Sequence, residues 1–358
     1  MRRNLTKKEK RRRYQNVDYY TINSALGIDW ANWFILIGGR ERGKTFTVQD
    51  YVLHEYFFGK KLKGVPFYWM RLNDIALLSM KLNNGAKMFE PLLVSKYSLL
   101  REMKVRGDTV FVPTKKGGKA TKPLCYLFSL STAYNQKGSA LFDKSTFKGA
   151  NIIVDEMARE KGQRKTFDIA YNLKMQIENT VRSERENVKV FMMLNNTEDC
   201  PEALSLFGFI PMEFGRYKLK RKHCFIDYIP NTEAYNKRRK KALANEIDNG
   251  TGNFTNVIER DIRSLYKGRL DKPVNVVKFT KDPLDWFTLW TTQSKKVMVV
   301  KRYCNEKQPV IAMRRYLDEE FYGEMRDNII ALEDARSLCY RDILTQQLWR
   351  KNLEMVKK

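Results

Sequence analysis

The sequence lacks three features that would point to common classes of protein. Its five cysteines lie far apart and form no C-x2-C pair, which argues against a zinc site and against a disulfide framework. No apolar run approaches the roughly 18 residues of a membrane-spanning helix, so a membrane is not an expected partner. The basic amino-terminal stretch is not followed by an apolar segment, so no secretory signal is predicted and the expected compartment is the cytoplasm.

Acidic residues are scarce relative to basic ones. The chain has 41 Asp and Glu against 67 Lys and Arg, which gives a formal net charge of +26. A polyanion, above all nucleic acid, is therefore the expected partner. Residues 1–16 are predicted to form a basic arm, because residues 1–13 contain eight Lys or Arg and one Glu. Such an arm either binds phosphates or remains a solvated tail.

The dominant pattern in the chain is a glycine-rich segment between an apolar run and a helical pattern. Residues 33–37 are apolar, and residues 38–45 have the spacing G-x4-G-K-T. This is a P-loop arrangement, in which backbone N–H groups surround a phosphate at the positive end of a helix. It predicts an ATP site with Mg²⁺, where Lys44 reaches the β- and γ-phosphates and the Thr45 hydroxyl binds the metal. The predicted nucleotide-binding residues are Gly38, Gly39, Arg40, Glu41, Arg42, Gly43, Lys44 and Thr45.

A second strand pattern, residues 151–156, has three apolar residues at 152–154 and ends in two carboxylates. This pattern is typical of a Walker B strand, which places an acid opposite the P-loop. Asp155 is predicted to hold the Mg²⁺ shell. Glu156 is predicted to polarise the attacking water and to act as the general base.

Three polar residues further along the chain complete the candidate site. Asn195 ends a predicted strand over 188–194, where it is either a sensor of the γ-phosphate or a plain strand-terminating turn. Arg182 and Arg185 lie at the end of a predicted helix over 168–186. They are candidates for an arginine finger that reaches a neighbouring subunit's γ-phosphate, although an arginine there also simply favours the helix dipole. A finger of this kind requires a ring.

Four segments resemble one known family, the DNA-packaging ATPases of small phi-29-type podoviruses, which are relatives of large terminase subunits. The segments are 38–45, 130–137, 154–162 and 180–185. The resemblance covers the first 200 residues well and the remainder only in outline. It implies a pentameric ring at the portal vertex of an empty procapsid, in the cytoplasm of an infected cell, that drives double-stranded DNA inward with ATP. A procapsid-bound packaging RNA is a further implied partner.

The resemblance also implies that Arg182, and a lysine that looks like Lys137, act in trans on the neighbour's nucleotide. From the residues alone, Lys137 is interpreted as a solvated lysine in a Gly- and Ser-containing loop.

The predicted fold class is α/β: a P-loop NTPase of the RecA- and terminase-like ASCE type with a parallel sheet, then a helical linker, then an α+β ribonuclease-H-like domain. The predicted boundaries are 17–230, 231–270 and 271–358. The last domain is expected to lack nuclease activity, because its predicted strand over 286–291 has no carboxylate and a two-metal nuclease needs several. Helical sequence is predicted from residue 319 to the end.

Two other functions fit the same patterns. One is a RecA-like DNA helicase or translocase, which would unwind forked duplexes. The other is a non-catalytic, nucleic-acid-binding virion assembly protein whose P-loop only binds nucleotide.

Overall fold

The computed structural model describes residues 19–132, 147–155, 168–195, 202–211, 213–241, 264–266, 268–280, 285–294, 296–301, 308–313 and 325–357. The chain divides into two compact units. The first contains Met1–Phe207 and Pro211–Ile258, and the second contains Gly208–Ile210 and Glu259–Lys358. The division falls within the segment 231–270 that was predicted as a linker, and residues 242–263 of that segment lie outside the described part of the chain.

The first unit is built on one sheet. Its strands are β1 (Trp33–Gly38), β2 (Phe67–Arg71), β3 (Lys104–Arg106), β4 (Thr109–Pro113), β5 (Ala120–Ser129), β6 (Ala150–Asp155), β7 (Val188–Asn195), β8 (Gly215–Leu219) and β9 (Cys224–Tyr228). They pair in the order β3-β4-β5-β2-β6-β7-β1-β9-β8. The strands from β5 to β9 in this order are parallel to one another. The pairs β3–β4, β4–β5 and β8–β9 are antiparallel and form the two edges.

The predicted α/β class with a parallel sheet is therefore confirmed. The central strands are nearly continuous apolar runs because both faces of a parallel sheet are covered. In β6, for example, every residue is buried, including Asp155 at its end. Since parallel strands have their carboxyl ends at one edge, the residues that end β1, β6 and β7 lie beside one another.

The helices of the first unit are α1 (Lys44–Phe58), α2 (Asp74–Gly85), α3 (Pro91–Lys96), α4 (Ile169–Val181), α5 (Glu202–Ser205) and α6 (Glu233–Lys240). The sequence from residue 74 to about residue 97 predicts helix with a break at residues 83–85. The break is confirmed, since Asn83 and Asn84 have left-handed backbone angles. Asp168 caps α4 by accepting a hydrogen bond from the Tyr171 N–H.

The alternation of residues at the start of segment 217–222 predicts a strand with one basic face. That prediction is wrong in its extent, because the strand ends at Leu219 and Lys220–Lys222 form a 3₁₀ turn, where all three cations are exposed. Strand β9 was not predicted at all. Its apolar pattern is interrupted by Asp227, which is only 2% exposed because it pairs with Arg216 on β8.

The second unit contains β10 (Leu270–Lys278), β11 (Trp286–Thr292), β12 (Val297–Val300), β13 (Val310–Ala312), β14 (Leu338–Tyr340), α7 (Met325–Asp334) and α8 (Ile343–Lys357). The strands pair in the order β13-β10-β11-β12-β14. The prediction of uninterrupted helical sequence from residue 319 is wrong, because β14 lies between the two helices and pairs with β12 in parallel. Trp349 of α8 is fully buried and packs edge-to-face against Phe279 and Phe287.

The described helices do not include one that is long and apolar enough to cross a membrane. Within the same residues, no group of three or more His, Cys, Asp or Glu side chains is arranged to hold a metal ion.

Candidate nucleotide-binding site

A large cavity lies at the carboxyl edge of the first sheet. It has a volume of about 1090 Å³, and its lining includes the loop after β1 together with the residues that end β6 and β7. The structure thus brings together eight of the predicted site residues: Arg40, Glu41, Arg42, Gly43, Lys44, Thr45, Asp155 and Asn195. The loop, Asp155 and Asn195 are far apart in the chain, and the parallel strand order places them side by side.

The loop between β1 and α1 has the backbone shape that its glycines predict. Gly43 has a left-handed conformation (φ 84°) and directly precedes α1, which begins at Lys44. Glu41 is also left-handed (φ 61°), which is uncommon for a residue with a side chain. A loop of this shape turns its N–H groups toward the amino terminus of α1, where the helix dipole favours an anion.

The Lys44 ammonium is buried within this loop. Its Nζ donates to the carbonyl oxygens of Gly38 and Gly39, each at 2.7 Å, and to Asn195 Oδ1 at 3.2 Å. Gly38 and Asn195 are also direct partners in the pairing of β1 with β7. Lys44 is therefore positioned where the loop and the ends of two strands meet, which is where a bound phosphate chain would need a cation.

Arg71 is a member of the site that the sequence patterns did not identify. It ends β2, the neighbour of β6, and its Nη1 lies 2.9 Å from Asp155 Oδ2. The sequence shows only that Arg71 is a cation at the end of an apolar strand. The order of the strands is needed to place Arg71 beside Asp155.

The residues present fit a magnesium ion held together with phosphates. Mg²⁺ takes oxygen ligands and is commonly bound by one or two carboxylates plus the phosphates of a substrate. The Thr45 hydroxyl and the Asp155 carboxylate supply such oxygens from two walls of the same cavity. Arg71 forms an ion pair with the Asp155 carboxylate and neutralises its negative charge.

The loop is held from its outer side by α6. Arg42 is 2% exposed, and its guanidinium donates to Thr232 Oγ1 and to the Pro230 carbonyl. Arg238 donates to the Glu41 carbonyl at 2.8 Å, and Arg239 lies 3.3 Å from the Glu41 carboxylate. The basic run 237–241 predicts a helix face that either follows phosphates or is solvated. Neither interpretation holds for Arg238 and Arg239, because both contact Glu41.

Residues just before β1 complete the wall beside Gly43. The Tyr20 N–H donates to the Arg42 carbonyl at 2.8 Å, and the Tyr20 hydroxyl donates to the buried Asp227 at 3.0 Å. Burial raises the pKa of Asp227, an effect that Arg216 opposes. Burial, reinforced by the charge of Asp227, raises the pKa of the Tyr20 hydroxyl well above its usual value. Tyr20 thus stays protonated as a donor, and its N–H and its hydroxyl are both bonded.

Arg182 and Arg185 lie at the opposite edge of the sheet. Both are exposed residues between the end of α4 and the start of β7, and the Arg185 carbonyl accepts from Asn32 just before β1. Strand β7 then takes seven steps to reach Asn195, a length of about 23 Å at ~3.3 Å per residue. The structure therefore does not bring either arginine to the cavity of its own chain.

Glu156 and Lys137 lie outside the described residues. Their predicted roles as general base and as a lysine acting in trans stay predictions. Of the remaining loop residues, Arg40, Glu41, Arg42 and Gly43 line the cavity, and Arg40 and Glu41 are exposed.

Comparison with solved structures finds the same fold in two packaging motors. The Phi-28 gp11 DNA packaging motor matches 95% of this chain and 98% of its own, with a TM-score of 0.60 and 16% identity. The viral genome packaging motor of bacteriophage Phi-29 matches 95% of this chain and 100% of its own, with a TM-score of 0.59 and 14% identity. No protein-family model matches the sequence, and no curated protein matches it either. At these identities the likeness establishes the fold, which spans nearly the whole chain.

Proposed function

We propose that the protein is an ATPase subunit of a ring-shaped motor that moves double-stranded DNA into an empty viral procapsid. The observation that carries the proposal is the cavity at the carboxyl edge of the first sheet, where Lys44, Thr45, Asp155 and Asn195 converge. The shared fold of two phage packaging motors supports the choice of this motor over other ATPases. The net charge of +26 supports a polyanionic partner.

In the proposed mechanism, each group of the cavity has a distinct part. The N–H groups of the loop and the Lys44 ammonium bind the phosphates, and Asn195 orients the γ-phosphate or its attacking water. Thr45 and Asp155 hold Mg²⁺, which when bound with ATP neutralises charge on the β- and γ-phosphates. Glu156 accepts a proton from the attacking water. The P-loop NTPase assignment of the first unit and the ribonuclease-H-like assignment of the second are parts of this proposal.

The proposed partners follow from the same motor. They are double-stranded DNA, the portal at the procapsid vertex, further copies of this chain in a ring of five, and a procapsid-bound packaging RNA. Arg182, Arg185 and Lys137 are proposed to act on a neighbour's nucleotide in that ring. The site of action is the procapsid vertex in the cytoplasm of the host cell.

The direct test combines this protein, empty procapsids of the phage that encodes it, full-length duplex DNA and ATP. Packaging is measured as DNA that becomes resistant to an added nuclease. Protection that requires both ATP and the protein is expected. Its absence at low salt, where phosphate contacts are strongest, would contradict the proposal.

Two further assays separate the other functions. A RecA-like helicase would separate the strands of a forked duplex, whereas the proposed motor leaves the strands paired. A non-catalytic assembly protein would bind nucleotide but show no hydrolysis stimulated by DNA.

The Lys44→Met variant is expected to bind ATP about 30-fold to several thousand-fold more weakly, since removing one partner of a buried charge pair costs about 2–5 kcal/mol. Binding is measured by calorimetry in the presence of Mg²⁺. Lys61→Met is the matched control, because Lys61 is exposed and donates to Asn187 at the other edge of the sheet. Unchanged ATP affinity in Lys44→Met would place the phosphates elsewhere.

A further inference from the structure

We infer that Tyr19 and Arg238 form the stacking platform for the nucleobase, so that the cavity selects nucleoside triphosphates over bare polyphosphate. This inference rests on the proposed function of the cavity as an ATP site. It places the nucleobase in the part of the cavity that the proposed phosphate-binding residues do not line.

The two sides of the loop differ in chemistry. On the sheet side, Lys44, Asp155 and Asn195 supply the cation, the carboxylate and the amide that suit the terminal phosphates and their metal. On the other side, at Gly43, the nearest neighbour is Tyr19: a Cβ placed on Gly43 would lie 3.4 Å from the Tyr19 Cβ. A triphosphate whose γ end lies beside Asp155 therefore extends its α end, with the sugar and base, toward Tyr19.

The cavity has room for all three parts. Its volume of about 1090 Å³ is slightly above the ~300–1,000 Å³ range of small-molecule sites. Tyr19 and Arg238 both belong to its lining. A ligand that extends beyond the loop between β1 and α1 can therefore contact the Tyr19 ring.

Tyr19 and Arg238 are stacked on each other at this wall of the cavity. The Arg238 guanidinium lies over the Tyr19 ring, 4.5 Å from its centre, and Tyr19 is nevertheless 54% exposed. Arg238 is held by its hydrogen bond to the Glu41 carbonyl, and Tyr19 directly precedes Tyr20, whose hydroxyl and N–H are both bonded. Bases stack well on aromatic rings and on guanidinium planes, and this stacking tolerates every base because each has a π-face.

The platform also connects the base to the phosphates. Arg238 contacts the carbonyl of Glu41, a residue of the phosphate-binding loop with a left-handed backbone. Base stacking on Arg238 therefore stabilises the loop shape that receives the phosphates, which bare polyphosphate cannot do.

The test compares MgATP with Mg-tripolyphosphate, which has the phosphate chain but no base. Calorimetry measures the affinity of the full chain for each. The unmodified protein is expected to bind ATP about 5-fold to 150-fold more tightly than tripolyphosphate, the usual contribution of base stacking on an aromatic ring. Tyr19→Ala is expected to lose that advantage for ATP and to keep its affinity for tripolyphosphate. Tyr19→Phe, which keeps the ring, is expected to restore it.

Tyr171→Ala is the matched control, because Tyr171 is 53% exposed on α4 and does not line the cavity. Equal affinity of the unmodified protein for ATP and tripolyphosphate would overturn the platform while leaving the phosphate site intact. An equal loss of both ligands in Tyr19→Ala would also overturn it, since Tyr19 would then support the loop and not the base. Failure of the unmodified protein to bind either ligand would contradict the ATP site itself.

Discussion

Glu156→Gln is expected to bind ATP with nearly unchanged affinity and to hydrolyse it about 10²–10⁴-fold more slowly, the usual contribution of a general base. The reason is that Glu156 directly follows Asp155 in the sequence. Asp155 ends β6, is buried and lines the same cavity as Lys44, the proposed phosphate-binding lysine. Glutamine has the size of glutamate and keeps one oxygen that accepts hydrogen bonds, but its amide does not take the proton of the attacking water.

The measurement separates binding from turnover. Calorimetry gives the ATP affinity, and a single-turnover assay gives the rate of the chemical step. Glu178→Gln serves as the matched control, because Glu178 is an exposed residue of α4 and the substitution is the same. Hydrolysis retained in Glu156→Gln would remove Glu156 from the mechanism. A loss of ATP binding would indicate that Glu156 has a structural role in the cavity.

The elements that the sequence predicts well are those with strong local signals. Strand β1 is a continuous buried apolar run, and α1 follows a glycine that takes a left-handed conformation. Lys44 and Asp155 each follow an apolar strand, which is enough to predict that they meet, whereas the same pattern at Asn195 fits either a phosphate sensor or a plain turn. Parallel strands bring the ends of such runs to one edge whatever their separation in sequence.

The elements that the sequence does not reveal depend on contacts between distant segments. Strand β9 contains Asp227 amid apolar residues, and only its pairing with Arg216 and Tyr20 makes that carboxylate compatible with burial. Strand β14 has three residues, too few to display a period of two, and it exists because it joins the edge of β12.

The same limit applies to the candidate site. Arg71 meets Asp155 because β2 and β6 are neighbours in the sheet, although more than eighty positions separate the two residues. Arg238 contacts the loop because α6 follows the strand that pairs with β1. A basic run such as 237–241 shows charge but not which of its side chains face inward, so its two loop-contacting arginines could not be distinguished from solvated ones.

Arg182→Ala is expected to lower ATP turnover of the assembled ring about 10³–10⁵-fold, the usual contribution of an arginine finger, without weakening ATP binding by the isolated subunit. The position of Arg182 is the reason. It lies exposed at the edge of the sheet opposite to the cavity, so the γ-phosphate that it could reach belongs to another copy of the chain. Its backbone is also left-handed (φ 47°, ψ −128°) at the end of α4, where glycine is usual and another residue costs about 1–3 kcal/mol.

Mixed rings test the action in trans. A ring of Arg182→Ala subunits and a ring of Glu156→Gln subunits are both expected to be inactive. When the two are mixed, some interfaces combine an intact Glu156 from one subunit with an intact Arg182 from its neighbour, so turnover is expected to return in proportion to those interfaces. Arg101→Ala, at an exposed position of the first unit, is the control that should leave every ring active.

A structural role for Arg182 predicts a different set of results, and the backbone allows the two to be separated. Arg182→Gly removes the guanidinium but suits the left-handed conformation, so it is expected to raise the melting temperature while turnover falls as in Arg182→Ala. If Arg182 only closes the helix, Arg182→Gly should hydrolyse ATP at the normal rate, and mixing with Glu156→Gln subunits should restore nothing at any ratio. Those two results together would show that Arg182 is not an arginine finger. Arg182 would then no longer support the proposed ring.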